Sequence, residues 1–270
     1  MKHIFHPSDL GAGSTTAFLI ALRIAATTRS VLTIMHVDGS GDGEWADLPG
    51  VRSTLVKWGL MTDESDMQQF AQTGMGVRKL MMEGNRPVSS CLRHLKEHPT
   101  DLVVLATHQG EGNNWLKRKV AEPLARGAGE PTLFVPEDCK GFVDGATGKV
   151  TLRRILVPVA VSPSPQSAID IAIRFAEELA DGPVHFTLLH VGTEATRPMV
   201  NIPEHADWTF EQMLREGDPI DNIVNVADAT RADLVVMTTK GRDGFLDMLR
   251  GTNTERVLRA VDCPVMAVPA

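Results

Sequence analysis

Residues 233–239 read DLVVMTT, and residues 101–107 read DLVVLAT. Both are short apolar runs that begin with an aspartate and end with a threonine. Four further pairs of blocks recur in the same order: Ile4–Pro7 with Ile155–Pro158, Thr33–Val37 with Thr187–Val191, Glu83–Pro87 with Glu216–Pro219, and Pro131–Pro136 with Pro264–Pro269. Similar blocks that recur in a constant order indicate an internal repeat. The chain therefore consists of two copies of one unit.

Within each copy, the recurring blocks alternate with longer segments of helical periodicity. Residues 17–26, AFLIALRIAA, and 168–179, AIDIAIRFAEEL, both show this period. Continuous Val, Ile and Leu runs that alternate with helices favour a parallel sheet buried on both faces. Right-handed crossovers then give an open, doubly wound α/β domain in each copy. Because ligands of such sheets bind beyond the carboxyl ends of the strands, we expect one functional edge that includes Asp9, Thr107, Ala160 and the loop from Thr238.

The two copies are joined by a polar, glycine-rich segment. Residues 138–152 read DCKGFVDGATGKVTL, a composition typical of a linker. We therefore expect a first domain at 1–138, a linker at 139–152 and a second domain at 153–270.

The copies differ in length at one place. From His36 to Glu83 the first copy spans 47 positions, whereas from His190 to Glu216 the second spans 26, which is 21 fewer. Residues 51–72 of the first copy are helical in character, but prolines at 198 and 203 disfavour a helix in the second. One crossover helix is thus missing from the second copy. A sheet face left bare needs another cover, so we expect it to pack against another chain or the other copy, most simply in a twofold homodimer.

Composition argues against several classes of partner. The net charge is −7 without any block of Lys or Arg, which is unlike a nucleic-acid-binding protein. Aromatic residues make up 5% and Tyr is absent, which weakens any base-stacking platform. The apolar runs fall far below the roughly 20 residues that span a membrane, and the N-terminal stretch is too short and polar for a signal peptide. We therefore expect a cytoplasmic protein that binds neither nucleic acid nor membrane.

Cysteines and histidines form no metal or catalytic motif. His94 and His98 are four residues apart and could present two imidazoles on one helix face. Pro99 ends that helix, however, and no third ligand is evident, so we expect no metal site. No CxxC pair is present, and the cysteines are expected to be free thiols: Cys91, Cys139 and Cys263.

Residues 233–269, DLVVMTTKGRDGFLDMLRGTNTERVLRAVDCPVMAVP, are similar to the terminal signature of the universal stress protein family. Residues 155–180, ILVPVAVSPSPQSAIDIAIRFAEELA, resemble the first strand and helix of that family. The resemblance covers nearly the whole chain, more weakly in residues 38–75 and 193–207. The chain thus looks like a tandem universal stress protein. This resemblance implies two Rossmann-like domains of the adenine nucleotide alpha hydrolase type and a role in the stress response.

By the same resemblance, the second copy contains a candidate site for ATP or a related adenine nucleotide. ATP-binding members have a Gly, two residues, a second Gly, nine residues, and then Gly followed by Ser or Thr. Thr238, Gly241, Gly251 and Thr252 occupy these positions here. The glycines let backbone amides approach phosphate oxygens, and the hydroxyl adds a donor at a helix start. The resemblance also allows a Mg²⁺ ion with the nucleotide, and it adds these residues to the site: Pro158, Val159, Ala160, Val191, Lys240 and Asn253.

Two positions of the second copy depart from the family pattern. Thr238 replaces a glycine, and its β-branched side chain would crowd the phosphates. Ala160 stands where the first strand of the family usually ends in an Asp that contacts the nucleoside. The first copy shows the reverse pattern, because it keeps Asp9 at the strand end but has Lys119 where a phosphate-binding glycine belongs. We therefore expect a degenerate phosphate loop in the first copy, with Asp9 as a vestigial site residue.

Three functions remain open from the sequence. The first is a stress-response regulatory protein that binds an adenine nucleotide in the second copy. The second is a stress scaffold that acts through unknown protein partners without nucleotide, with an inherited strand–helix loop. The third, an ATP-hydrolysing enzyme, is disfavoured because hydrolysis needs a group that positions water and a metal ligand near the γ-phosphate. Nothing distinguishes Asp243 and Asp247 from solvated residues, so we expect no catalytic residue.

Overall fold

The computed structural model describes residues 1–39, 44–107, 121–239 and 253–270. They fall into two compact units, Met1–Lys149 and Val150–Ala270.

The first unit contains a five-stranded parallel sheet in the order β3-β2-β1-β4-β5. Its strands are β1 (His3–Pro7), β2 (Val31–Asp38), β3 (Gly76–Glu83), β4 (Leu102–Thr107) and β5 (Thr132–Pro136). Its helices are α1 (Thr15–Thr28), α2 (Val51–Lys57), α3 (Met67–Gln72), α4 (Pro87–Glu97) and α5 (Ala121–Ala128), with 3-10 turns at Ala12–Ser14 and Trp45–Asp47.

The second unit repeats this order as β8-β7-β6-β9-β10, again with parallel neighbours. Its strands are β6 (Arg154–Pro158), β7 (His185–Val191), β8 (Thr209–Arg215), β9 (Leu234–Thr239) and β10 (Val265–Pro269). Its helices are α6 (Gln166–Leu179), α7 (Pro219–Thr230) and α8 (Asn253–Ala260), with a 3-10 turn at Glu194–Thr196. The duplication and the α/β fold predicted from the recurring blocks are confirmed.

Helices lie on both faces of the second sheet. Ile223 of α7 and Val257 of α8 share one buried cluster with strand residues that include Leu156 and Val235. The buried residues of α6 lie outside that cluster and pack against β6, β9 and β10. Side chains alternate between the faces of a strand, so α6 covers the face opposite α7 and α8. This is the doubly wound arrangement expected from the sequence.

The second crossover contains no α-helix, so the predicted loss of helix is confirmed, although the first crossover has two short helices and not one. Between β2 and β3 the first unit has α2 and α3, whereas between β7 and β8 the fully described segment 192–208 contains only the 3-10 turn Glu194–Thr196. The prolines at 198 and 203 fall within this segment, where they remove backbone donors and disfavour helical geometry.

The segment predicted as a linker packs closely along most of its length. Phe142 is completely buried, and the indole Nε1 of Trp58 donates to the carbonyl of Gly145 at 3.4 Å. Gly148 has φ +69°, and a Cβ there would lie 2.5 Å from Cδ2 of Trp58. Glycine is therefore needed at that position for both conformation and close approach. The boundary between the compact units falls after Lys149, inside the range 139–152.

In the described part of the chain, no helix is both long enough and apolar enough to cross a membrane. The same residues contain no group of three or more His, Cys, Asp or Glu side chains that could hold a metal ion. The rings of His94 and His98 are 4.5 Å apart between centroids. All three cysteines are buried, and none of them is in a disulfide.

Candidate functional site

The candidate site lies at the carboxyl edge of the second sheet. Pro158 ends β6, Val191 ends β7 and Thr238 is the penultimate residue of β9. Because these strands are parallel neighbours or next neighbours, their ends meet at the same edge. The structure thus brings these three predicted site residues to the edge where doubly wound sheets bind ligands.

A histidine holds the chain where it leaves β6. The N–H of Val159 donates to the carbonyl of Leu189 at 2.8 Å, which extends the pairing with β7 by one residue. The carbonyl of Val159 accepts from Nδ1 of His190 at 3.0 Å. Since Nδ1 carries the proton, Nε2 is the acceptor in neutral His190, and it lies 3.0 Å from the hydroxyl of Thr196. We call the bond from this histidine to the strand-exit carbonyl the histidine clamp.

The first unit has the same clamp. Nδ1 of His36 bonds the carbonyl of Ser8 at 2.8 Å, and the N–H of Ser8 donates to the carbonyl of Met35 at 2.9 Å. His36 and His190 are both at least nine-tenths buried. Neither histidine had a predicted role, although both belong to recurring blocks. Their repetition at the same strand position was the signal that could have identified them.

Gly192 follows Val191 and makes room for the clamp. Its φ is +156°, and a Cβ there would lie 2.7 Å from Oγ1 of Thr196 and 2.8 Å from Nε2 of His190. A side chain at this position would therefore displace the hydroxyl from the imidazole. Glycine keeps the end of β7 compact beside the candidate site.

Ala160 and Asp9 occupy equivalent positions after the clamped residues. Ala160 is exposed and provides no polar group to a ligand. Asp9 is partly buried, and its Oδ1 accepts from the N–H of Gly11 at 2.9 Å and from the hydroxyl of Ser14. These bonds stabilise the turn that leads into α1. Asp9 therefore has a local structural role, and its vestigial ligand role stays a prediction.

Two buried hydroxyl groups lie at the end of β9. Oγ1 of Thr238 and Oγ1 of Thr239 have no hydrogen-bond partner among the described residues. Oγ1 of Thr107, which occupies the position of Thr239 in the first unit, is also without a partner in that part of the structure. A buried hydroxyl without a partner costs about 1–3 kcal/mol. Polar groups of this kind are suited to a ligand that supplies the missing bond.

The first unit differs from the second beneath this edge. His6 of β1 is fully buried where the second unit has Val157. Its Nδ1 lies 3.0 Å from the carbonyl of Val104, and its Nε2 has no partner among the described residues. Burial lowers the pKa of His6 to about 4, although the Val104 bond and the charge of Asp9 raise it in part. The imidazole is therefore neutral near pH 7.

The predicted phosphate loop lies outside the described residues. It includes Lys240, Gly241, Gly251 and Thr252, whose roles stay predictions. Asn253 is the first residue of α8.

The fold and the edge geometry define a protein with two doubly wound α/β units. The family model named Universal stress protein family matches residues 203–269, within the second unit. A universal stress protein of Methanocaldococcus jannaschii is 35% identical over 77 residues, which cover 28% of this chain and 45% of that relative. One of Methanothermobacter thermautotrophicus is 35% identical over 80 residues, covering 28% of this chain and 54% of that relative. The chain thus spans about half the length of the curated relatives it matches.

A solved universal stress protein of Archaeoglobus fulgidus shares the fold. Its TM-score is 0.63 at 15% identity, and the match covers 99% of this chain and 98% of that chain. The second unit is thus similar to the universal stress protein family, and the chain shares its fold with a solved member of that family. The two α/β units of the chain are consistent with a tandem form.

Proposed function

We propose that the protein is a stress-response regulatory protein that binds an adenine nucleotide of the ATP type at the carboxyl edge of its second unit. The observation that carries the proposal is the buried hydroxyl of Thr239 at the end of β9, whose Oγ1 has no hydrogen-bond partner among the described residues. It lies at the edge where doubly wound sheets bind ligands, close in sequence to the glycines of the family signature.

Different residues of the site suit different parts of the nucleotide. Val191 is partly buried and supplies apolar surface near the clamp, which suits a purine ring, and the buried Val159 precedes Ala160 in the sequence. The amides of Gly241 and Gly251 and the hydroxyl of Thr252 suit phosphate oxygens, and Lys240 adds a positive charge. A Mg²⁺ ion accompanies nucleotide phosphates readily, because it keeps several waters and needs few protein ligands.

Binding without turnover is the proposed activity. In-line attack on a γ-phosphate needs a group that orients water and a second group that neutralises developing charge. The described residues predicted for the site supply neither group, because each is apolar or carries a neutral hydroxyl or amide: Pro158, Val159, Ala160, Val191, Thr238 and Asn253. A steady ATPase rate on the order of 1 per second would contradict this part of the proposal.

The experiment that tests the proposal has two steps. Purified protein is deproteinised, and released adenine nucleotide is measured by absorbance and chromatography. Calorimetric titration with ATP, AMP and cyclic AMP then ranks the ligands. Gly251→Asp places a carboxylate against the phosphates and should abolish binding, whereas Lys119→Asp, at the matching first-copy position, should leave the affinity unchanged. Equal affinities for the wild type and Gly251→Asp would refute the site.

A scaffold that acts through protein partners is the second candidate. The observation that favours it is apolar exposure in the second unit, where Met199 is fully exposed and Val161 is 67% exposed. Soluble proteins tolerate single exposed apolar side chains, but Met199 belongs to the segment where a crossover helix is missing. Absence of any nucleotide binding, together with retained stress protection after substitution of Gly251, would favour this function.

A further inference from the structure

The second unit has an incompletely covered sheet face. Phe186 of β7 stacks on Phe210 of β8 with ring centroids 4.7 Å apart, and Trp208 lies 5.4 Å from Phe186. Phe186 is 1% exposed, but Trp208, Phe210 and Leu214 are only partly buried. These rings lie on the face of β7 and β8 opposite α7. In the first unit, the same crossover supplies α2 and α3.

The outer edge of β8 is open. Within the described chain, β8 pairs with β7 and with no other strand. The N–H of Thr209 donates to Val184 at 3.0 Å, and the carbonyl of Arg215 accepts from Gly192 at 2.8 Å, so these two residues direct their peptide groups toward β7. Peptide groups alternate along a strand.

Between Thr209 and Arg215, three residues direct their peptide groups away from β7: Phe210, Gln212 and Leu214. Their N–H and C=O groups therefore point away from β7 and have no ladder partner in the described structure. The carbonyl of Leu214 is met only by the guanidinium of Arg215, at 3.1 Å.

We propose that β8 pairs antiparallel with β8 of a second copy of this chain, about a twofold axis at Gln212. In this register each Phe210 lies opposite Leu214 of the second copy, and the two Gln212 residues face each other. Three outward-facing residues from each strand then complete their backbone hydrogen bonds. The pairing also extends the partly covered apolar face across the axis, so that each copy shields the other.

Charge complementarity identifies the occupant as a second copy. Glu211 and Arg215 are both exposed and lie on the same face of β8. In the proposed register, Glu211 of one copy is diagonal to Arg215 of the other, and the twofold axis makes this contact twice. Diagonal neighbours on one face of an antiparallel pair are within reach of long side chains. Although the chain has a net charge of −7, each pair of Glu211 and Arg215 across the axis is neutral.

The corresponding edge strand of the first unit, β3, lacks this charge complementarity. β3 has two adjacent cations, Arg78 and Lys79, so a twofold pairing of β3 would bring like charges together. Nζ of Lys79 also donates to the carbonyl of Leu48 at 3.5 Å, in the crossover that precedes β3. β3 therefore serves as the matched control for β8.

Light scattering and sedimentation of the full chain test the proposal. The wild type should be a dimer at tens of micromolar. Glu211→Arg and Arg215→Glu each place like charges across the axis and should raise the dimer dissociation constant about tenfold. The combined swap restores opposite charges and should return the constant close to the wild-type value. Single variants that dimerise like the wild type would overturn the proposal.

Disulfide trapping gives a second, independent result. Gln212→Cys places one thiol from each copy at the axis, and the native Cys91, Cys139 and Cys263 are at most 9% exposed. The variant should form a covalent dimer under mild oxidation, whereas Met81→Cys on the outer edge of β3 should not. Equal cross-linking of the two variants would overturn the proposed pairing. So would a Gln212→Cys variant that stays monomeric under mild oxidation, and the β8 edge would then be open to a different protein.

Discussion

The guanidinium of Arg154 donates to Oδ1 of Asp233 at 2.8 Å, and the backbone N–H of Arg154 donates to Oδ2 of the same carboxylate at 2.8 Å. Oδ2 also accepts from the N–H of Arg153 at 2.9 Å. One carboxylate thus joins the start of β6 to the start of β9. In the first unit, Oδ2 of Asp101 accepts from the N–H groups of Lys2 and His3 at 2.7 and 2.9 Å. The duplicated aspartates of DLVVMTT and DLVVLAT are therefore strand anchors.

We expect Asp233→Ala to lower the free energy of unfolding by about 2 kcal/mol, because a charged acceptor of several hydrogen bonds is lost. Urea denaturation measures the change. Asp101→Ala is the matched variant and should cost less, since no guanidinium hydrogen bond to Asp101 is lost. A loss below about 0.5 kcal/mol for Asp233→Ala, the range of ordinary surface changes, would contradict the anchoring role.

Stability should fall in mild acid because of His6. Its folded pKa, about 4, lies below the unfolded value of 6.5, so the unfolded state binds more protons between these values. The contribution of neutral His6 to the free energy of unfolding is fully present above pH 6.5 and is lost as the pH falls through 4. The total loss is about 3 kcal/mol. His6→Val introduces the residue found at Val157 and should flatten this part of the pH profile. Superimposable profiles for both proteins would rule out His6 as the cause.

The native thiols should be unreactive. Burial raises the pKa of Cys91 to about 12, so almost no thiolate is present at pH 8. Ellman's reagent should label the folded protein slowly and detect three thiols after denaturation. Met199→Cys is the positive control, because Met199 is fully exposed and a thiol there should react at the rate of a free cysteine. Labelling of the folded wild type at that rate would show that these thiols are accessible.

Restoring the family residues should strengthen nucleotide binding. Thr238→Gly removes a β-branched side chain and a buried hydroxyl from the phosphate position, and we expect affinity for ATP to increase about tenfold, worth roughly 1.4 kcal/mol. Ala160→Asp should add a further gain by supplying the missing carboxylate. Ala106→Gly, at the position of Thr238 in the first unit, is the control and should have no effect. Calorimetry distinguishes these outcomes, and unchanged affinity for Thr238→Gly would show that Thr238 does not obstruct the phosphates.

The sequence predicted the fold well because burial in a parallel sheet leaves a strong pattern. Apolar runs such as Leu234–Thr239 coincide with strands, and the short crossover after His190 correctly predicted a missing helix. Contacts that depend on tertiary geometry were harder to predict from the sequence. Polar and glycine residues in the segment predicted as a linker concealed the burial of Phe142, and the bond from His190 to Val159 depends on the register between two strands.

The histidine clamp has a consequence for how the two halves diverge. His36 and His190 each donate to a main-chain carbonyl at a strand exit, that of Ser8 or Val159. These bonds therefore do not depend on which side chain the accepting residue has. The next position, Asp9 or Ala160, lies outside the clamp. A substitution at this position therefore leaves the hydrogen bond beneath it intact. The two units can thus differ in the charge that they place at the sheet edge while they keep the same support at the strand exit.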